Sequence, residues 1–509
     1  MSGEPNRARD PRLDFFRGLA MFIILLAHTP GNGWTLWIPA RFGFSDATEI
    51  FVFCSGFASA LAFGAIFLRR GWLIGTARIA WRIWQVYWAQ IGMVLATALL
   101  LYLVDRQGWG DPAIRYVARV PLPPLFEDTG EALLGLATLT WVPNYFDILP
   151  MYLVILAMVP AVMAIRRIAG AGAVAVVLAA MWLAANLGLM DLPSRPWAPD
   201  IPWFFNPFAW QLVFFTGFAL AMGWLPAPPV SRRLVRLAAA YVLLTLPIAW
   251  FRIHQGLWLP DDWLVQDWIA ELRALSEPLW WKTWLGAARY VHFLALAYLA
   301  WVAVGPGGRR LSEGWAPPGR PSAAVQWLAA AVALATLPYS WIDEIARLSP
   351  ALDGWLYHQL SVTATRWLGT DLLVPGERIG MVQLAHLLAL VVLGWAAIGP
   401  GGRAFVTGAG FVRLVPVIRK VGSQSLAVFL VSMVLAQANG VILDRIGSGF
   451  WALWLVNLWG FAVLVGVAYL AGWFRSQPWR TRQAAPAAGP RPAPERGAGG
   501  AAALGLSAR

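Results

Sequence analysis

The sequence LDFFRGLAMFIILLAHT, residues 13–29, decides the fold class of this chain. It is an almost continuous apolar run, and a helix that crosses a bilayer needs about 20 such residues. Inside a bilayer each backbone N–H and C=O must be paired within its own segment, so a run of this length is a helix. The run therefore predicts a membrane-spanning helix.

Further apolar runs follow, and the composition agrees with them. Of the 509 residues, 59% are hydrophobic and 13% are charged, whereas soluble domains carry about 25% charged residues. Most of the surface should therefore meet the lipid bilayer. We predict an all-α, polytopic transmembrane helical bundle of about 12 spanning helices, or at least about 10. The runs are 13–29, 44–68, 81–104, 146–165, 171–190, 204–225, 235–251, 290–304, 323–340, 379–398, 421–439 and 451–474.

Charged residues orient these helices. Most of the 39 lysines and arginines fall in alternate loops counted from the N-terminus, and most of the 26 acidic residues fall in the opposite loops. Loops that stay in the cytoplasm carry the positive excess, so both termini are predicted to be cytoplasmic. The net charge of +13 then reflects topology, and we expect no nucleic-acid partner. The chain divides into a cytoplasmic segment, 1–12, a membrane domain, 13–474, and a disordered cytoplasmic tail, 475–509.

Two segments limit other interpretations. Cys54 is the one cysteine and lies in an apolar run, which excludes a disulfide framework and a thiolate metal site, and we predict no metal centre. Residues 132–141 are apolar but only about half as long as a spanning helix. We expect them to be interfacial or re-entrant.

The first run carries three ionisable residues, Asp14, Arg17 and His28. Such residues inside a bilayer favour a functional interpretation with a named partner. At about 100° per residue, the eleven-residue spacing returns Arg17 and His28 to nearly the same face, about 16 Å apart along the axis. Asp14 can neutralise Arg17 from three residues away. The alternative for His28 is a solvated histidine at a helix end.

The second run opens with two carboxylates, Asp46 and Glu49, on one face of the predicted helix. A short loop joins the two runs, so these groups should lie near His28. One of them could orient the imidazole while His28 acts as general base on a hydroxyl. The alternative is that both simply complement the dipole of the helix N-terminus.

Arginines mark the entry to the third run. Arg78 and Arg82 are four residues apart, beside several aromatic residues, and such a pair suits the phosphates of a cytoplasmic donor. Sorting of positive charge to the cytoplasm explains the same residues without a ligand.

At this point the sequence resembles a known family. The segments RLDFFRGLAMFIILLAHTPGN, FGFSDATEIFVFCSGF, ILPMYLVIL, FNPFAWQLVFFTG, RYVHFLALAY and VGSQSLAVFL are similar to the OpgC family, within the acyltransferase-3-like membrane O-acyltransferases. The resemblance implies transfer of a succinyl group from cytoplasmic succinyl-CoA, an acyl-CoA, to hydroxyls of periplasmic glucans. It also implies a place in the bacterial inner membrane, no permanently bound cofactor, and His28 as general base or acyl acceptor.

The resemblance extends the candidate site. We assign Asp14, Arg17, Arg78 and Arg82 to the donor. Asn206 and Gln211 should hydrogen-bond either another helix or a ligand, because an unpaired buried amide is costly. Lys282, Arg289 and His292 bind either a substrate carboxylate or the outer-loop acids Asp261, Asp262, Asp267, Glu271 and Glu277. Residues assigned to substrate binding are Asn32, Tyr145, Tyr152, Asn206, Gln211, Lys282, Arg289 and His292.

Two other functions remain open. A glycan transporter or flippase would also need many helices and internal polar residues, although no internal repeat is evident. An O-acetyltransferase acting on another cell-envelope glycan would share most of the predicted site. Release of free CoA separates an acyltransferase from a transporter.

Overall fold

The computed structural model describes residues 10–254, 264–340 and 381–479. Within these ranges the regular structure is helical, and the β-type pairing recorded is an isolated bridge between Pro193 and Pro202. The all-α prediction is therefore confirmed.

Fourteen of the helices are labelled here in chain order. They are α1 Pro11–His28, α2 Ala47–Arg70, α3 Trp72–Gln107, α4 Thr129–Thr138, α5 Ile148–Asn186, α6 Pro207–Met222, α7 Arg232–Ala249, α8 Leu264–Leu275, α9 Ala287–Val304, α10 Ala323–Ser340, α11 Met381–Ala397, α12 Gly410–Ser423, α13 Ser425–Ile446 and α14 Phe450–Ser476. Shorter helical turns are Gly33–Trp37, Pro39–Phe42, Tyr116–Ala118, Pro124–Glu127, Phe251–His254, Glu277–Trp280, Pro306–Gly308, Arg309–Glu313, Pro400–Ala404 and Phe405–Ala409.

Six helices in the described ranges are long and apolar enough to cross a membrane: α2, α3, α5, α9, α13 and α14. A bent pair, Leu384–Ala397 with Pro400–Ser423, meets at 114° and would raise the number to seven if it is one span. Twelve apolar runs were expected, so fewer spans are shown than predicted.

One reason for the difference is the length of α5. It takes up the predicted runs 146–165 and 171–190, and at about 1.5 Å per residue its 39 residues exceed the thickness of one bilayer. Gly170 interrupts it with a φ of 88°, outside the helical region. The chain can therefore change direction there, because glycine alone tolerates this φ without strain.

A second reason is that some apolar segments form shorter or more charged helices. The helix α6 has 16 residues, and α1 contains Arg12, Asp14 and Arg17 within its 18 residues. Residues 132–141, expected to be interfacial or re-entrant, overlap α4, which has 10 residues. By length, α4 is too short to span.

Polar residues fix the helix starts that position the site. Asp10 caps α1 by accepting the backbone N–H of Arg12, and Pro11 occupies the first turn, where its missing N–H costs nothing. Asn206 caps α6 through the backbone N–H groups of Phe208 and Ala209. Asn206 holds the start of α6 beside Thr283, next to Lys282, whereas Asp10 holds the end of α1 opposite His28.

Small residues let the central helices approach closely. A Cβ added at Gly56 on α2 would overlap the backbone oxygen of Phe214 on α6, and one at Gly217 on α6 would overlap that of Phe53. The helices α1 and α12 meet in the same way at Gly18 and Gly422. Such contacts are typical of membrane bundles. Burial from water does not drive helix association inside a bilayer, so close packing stabilises the helix pairs.

Candidate active site

The helix α1 is continuous from Pro11 to His28, so Arg17 and His28 keep the predicted spacing along one helix. Arg17 is buried, and its guanidinium donates to the backbone carbonyl of Cys54 on α2, 2.6 Å away. His28 is half-buried at the opposite end of the helix. Both side chains contact the protein interior, as the helical spacing predicted.

One hydrogen bond determines the chemistry of His28. Its Nδ1 lies 2.8 Å from the carbonyl oxygen of Ile24, one turn earlier. A carbonyl can only accept, so Nδ1 carries the proton and Nε2 of the neutral ring holds the basic lone pair. We expected Asp46 or Glu49 to orient this ring; the backbone of α1 does so instead.

Tyr145 packs against the ring of His28. The two rings meet edge to face with centroids 5.3 Å apart, and the tyrosine hydroxyl donates to the carbonyl of Met433 on α13 at 2.5 Å. The φ of Tyr145 is 91°, which is unfavourable for a residue with a side chain. Backbone strain of this kind clusters at functional sites.

Asp46 and Glu49 begin α2 as a capping box. Asp46 accepts the backbone N–H of Thr48 at 2.6 Å, and Glu49 accepts the backbone N–H of Asp46 at 2.8 Å. The structural alternative considered for these carboxylates, stabilisation of a helix N-terminus, is thus present in the molecule.

The same two carboxylates bind both outer cations. Lys282 donates to Asp46 at 2.7 Å, and Arg289 donates to Asp46 at 3.2 Å and also to Glu49. Of the outer-loop acids considered as partners, Asp261 and Asp262 lie outside the described residues; the partners that the structure gives are on α2.

Electrostatics keeps Asp46 ionised. Burial opposes the charge on Asp46, but the Lys282 ammonium and the Arg289 guanidinium outweigh burial and hold the pKa of Asp46 well below its usual range. The charges of Lys282 and Asp46 also act on His28, so the ion cluster and the imidazole belong to one region.

A family comparison identifies the class of protein. The family model described as OpgC protein matches residues 9–321 and 317–476, which is most of the chain. The chain belongs to this family. Neither the curated proteins nor the solved structures gave a match. Membership indicates a transferase that modifies a glucan, and apolar helices place it in a membrane.

His292 of this OpgC family member lies behind the ion cluster. Its Nδ1 is 2.8 Å from the Ser45 hydroxyl and 3.4 Å from the Ser45 backbone N–H, which can only donate. The ring proton is therefore on Nε2, which is buried and has no hydrogen-bond partner among the described residues. His292 stabilises the loop before α2 through Ser45. In the described part of the chain, no hydrogen bond joins it to His28.

The residues assigned to the donor lie elsewhere on the molecule. Arg78 is exposed, with its guanidinium 5.8 Å from the Phe63 ring, and Arg82 donates to Gln85 at 3.3 Å. Asp14 is buried on α1, three residues before Arg17. A donor role for these four residues stays a prediction.

Three predicted substrate residues bind the protein itself. Asn32 pairs its amide with Asn457 on α14 at 2.7 Å, and Asn206 donates to the carbonyl of Met190 and to Asp191 at 2.6 and 2.7 Å. Tyr152 lies 3.4 Å from the Ser59 hydroxyl.

Gln211 is only half satisfied. Its Nε2 donates to the carbonyl of Leu178 at 2.8 Å, while its buried Oε1 has no partner among the described residues. Of the two alternatives for Asn206 and Gln211, the helix–helix hydrogen bond is thus present for Gln211, and Asn206 bonds the loop before its helix.

Sequence reasoning missed several buried polar residues of the region. Gln90, Asp147, Gln437 and Asn439 are each at most 4% exposed, and each has a buried side-chain atom without a hydrogen-bond partner among the described residues. A signal existed, because all four stand in predicted apolar runs. The criterion that singled out Asn206 and Gln211 would have found them.

Proposed function

We propose that the protein is a membrane O-acyltransferase that moves an acyl group, succinyl, from cytoplasmic succinyl-CoA to hydroxyls of periplasmic glucans. The observation that carries this proposal is the tautomer of His28, whose Nδ1 bonds Ile24 and whose Nε2 is the basic nitrogen. Family membership supplies the glucan and the transferase class.

The proposed reaction balances on His28. Nε2 accepts the proton of a glucan hydroxyl as its oxygen attacks the thioester carbonyl carbon; the C–S bond breaks, and the departing thiolate takes the proton from the imidazolium. Positioned general-base catalysis contributes typically about 10² to 10⁴ in rate. The imidazolium that forms transiently lies in the opposing fields of Lys282 and Asp46.

The same proposal sets the orientation of the protein in the bacterial inner membrane. The termini and the arginines near Arg70 lie in the cytoplasm, and the His28 end of α1 lies toward the periplasm. Arg17 lies toward the cytoplasmic end of α1, and the pantetheine arm of the donor passes it on the way to His28. Lys282 uses one N–H on Asp46 and its side chain is 29% exposed, so it can also bind the free carboxylate of a succinyl group.

The test replaces His28 and measures the product. We expect His28→Ala to abolish acyl substitution of periplasmic glucans by mass spectrometry, and to abolish CoA release by purified protein given succinyl-CoA and glucan. His254→Ala is the matched control, because His254 lies in a separate short helix, Phe251–His254. Normal glucan substitution in the His28 variant would refute the role of His28; wild-type protein that moves glucan without releasing CoA would favour the transporter, and acetyl in place of succinyl would correct the donor.

A further inference from the structure

Three buried oxygens have no hydrogen-bond partner among the described residues: Gln90 Oε1, Asp147 Oδ2 and Gln437 Oε1. The side chains are 0%, 4% and 1% exposed, respectively. A buried polar oxygen without a partner destabilises a protein by about 1–3 kcal/mol. One such atom is common, but three around one short segment need an explanation.

The three side chains belong to, or contact, the segment 145–147. Gln90 donates its Nε2 to the carbonyl of Phe146 at 2.8 Å. Gln437 interacts with the hydroxyl of Tyr145, and Asp147 is two residues after that tyrosine. Since Tyr145 packs against His28, the segment that these side chains adjoin is also next to the imidazole proposed above as the general base.

The unpaired atoms are all oxygens that can accept hydrogen bonds. The carbonyl of Phe146 can only accept, so the Gln90 amide must turn its nitrogen toward it and leave Oε1 as the unpaired atom. Gln90 and Gln437 therefore each offer an acceptor, and Asp147 offers a carboxyl oxygen. A ligand that satisfies all three must bring several O–H or N–H donors close together.

Asp147 does not act as a helix cap. It precedes α5, but its side chain makes no capping hydrogen bond to that helix. By contrast, Asp10 and Asp46 each cap the helices that they begin. The Oδ2 of Asp147 therefore remains for a ligand.

We propose that Gln90, Asp147 and Gln437 form the acceptor-sugar subsite, where their oxygens accept hydrogen bonds from hydroxyls of the glucan unit that receives the acyl group. This subsite rests on the proposed function. A sugar ring presents several adjacent O–H donors, whereas the succinyl group has only acceptor oxygens at neutral pH. The three oxygens therefore favour binding of the acceptor sugar over binding of the acyl group. In this arrangement one sugar hydroxyl is held next to His28.

The kinetic test separates acceptor binding from chemistry. We expect Asp147→Ala and Gln437→Met each to raise the KM for glucan about 3- to 10-fold, because an ordinary hydrogen bond contributes about 0.5–1.5 kcal/mol, with the KM for succinyl-CoA unchanged. Asp147→Ala should leave the thermal unfolding temperature equal or higher, because it removes an unpaired buried oxygen. A lower unfolding temperature with an unchanged KM for glucan would show a structural role and overturn the subsite.

A binding test needs no catalysis. Saturation-transfer NMR on the full chain in nanodiscs should detect glucose disaccharides of varied linkage, and the signal should be lost with their fully O-methylated forms, which keep oxygen acceptors but have no O–H donors. Gln266→Met is the matched control, since Gln266 also has an unpaired Oε1 but lies on α8. Equal binding of the methylated sugars would overturn the subsite. Wild-type protein that binds sugar but never releases CoA would refute the proposed function alone.

Discussion

At the residue scale, the acidic and basic side chains of the site pair with residues that are distant in the sequence. Arg289 reaches back 240 positions to Glu49, which is fully buried. Breaking a buried ion pair by removing one partner is strongly destabilising, by about 3–5 kcal/mol, because the remaining charge stays buried and uncompensated. The cluster therefore couples the start of α2 to α9.

This coupling can be measured with a double-mutant cycle. We expect Arg289→Met to lower the unfolding temperature strongly and Glu49→Gln added to it to restore part of the loss, because glutamine removes the charge but still accepts the Asp46 N–H in the capping box. Thermal unfolding in detergent gives both values. The exposed pair Arg309 and Glu313 is the control, where Arg309→Met should change little. A double variant no more stable than Arg289→Met would contradict the pairing.

At the scale of helices, the crossing of α2 and α6 positions the residues that begin both helices. Gly56 and Gly217 each face a backbone carbonyl of the other helix at a separation that leaves no room for a methyl group. The carboxylates at the start of α2 and the Asn206 cap of α6 are fixed by this crossing. A wider separation would move Asp46 away from Lys282.

We therefore expect Gly56→Ala to destabilise the protein by about 1–3 kcal/mol, as overpacking of a filled core typically does, and to lower the rate of acyl transfer. Gly92→Ala is a matched control inside α3, because nothing lies within 4 Å of a Cβ added there. It should be neutral or stabilising by about 0.5–1 kcal/mol, the preference of a helix interior for alanine. Unfolding in detergent, followed by fluorescence, compares the two. Equal stability of both variants would show that α2 and α6 are not in close contact.

At the scale of the whole molecule, alternating charge predicts which helix ends share a membrane side. Arg70 ends α2 and Ser476 ends α14, whereas Gln107 ends α3 and Ser448 lies between α13 and α14. These four positions report on topology if each carries a single reactive thiol. The native Cys54 is buried, so its background labelling should be low.

In intact spheroplasts, a membrane-impermeant maleimide should label cysteine at Gln107 or Ser448 and leave cysteine at Arg70 or Ser476 unlabelled until the membrane is opened. The expected labelled fraction is near complete for the first pair. Normal glucan substitution in each variant confirms that it is folded. Labelling of all four from outside would refute the proposed orientation.

The sequence alone determined the helical class, the spacing of Arg17 and His28, and the family. Those features depend on local composition and helical periodicity, which hold wherever the chain lies. It also pointed to Lys282, Arg289 and His292 because cations contradict the expected charge on the outer side.

Only the tertiary structure decided which groups meet. Asp46 and Glu49 bind cations that are more than 230 positions away, and the proton of His28 is fixed by Ile24 and not by either carboxylate. The unpaired oxygens of Gln90, Asp147 and Gln437 likewise become visible only when two separate helices and a loop are in place. A hydrogen bond depends on distance and direction in space, and sequence separation specifies neither.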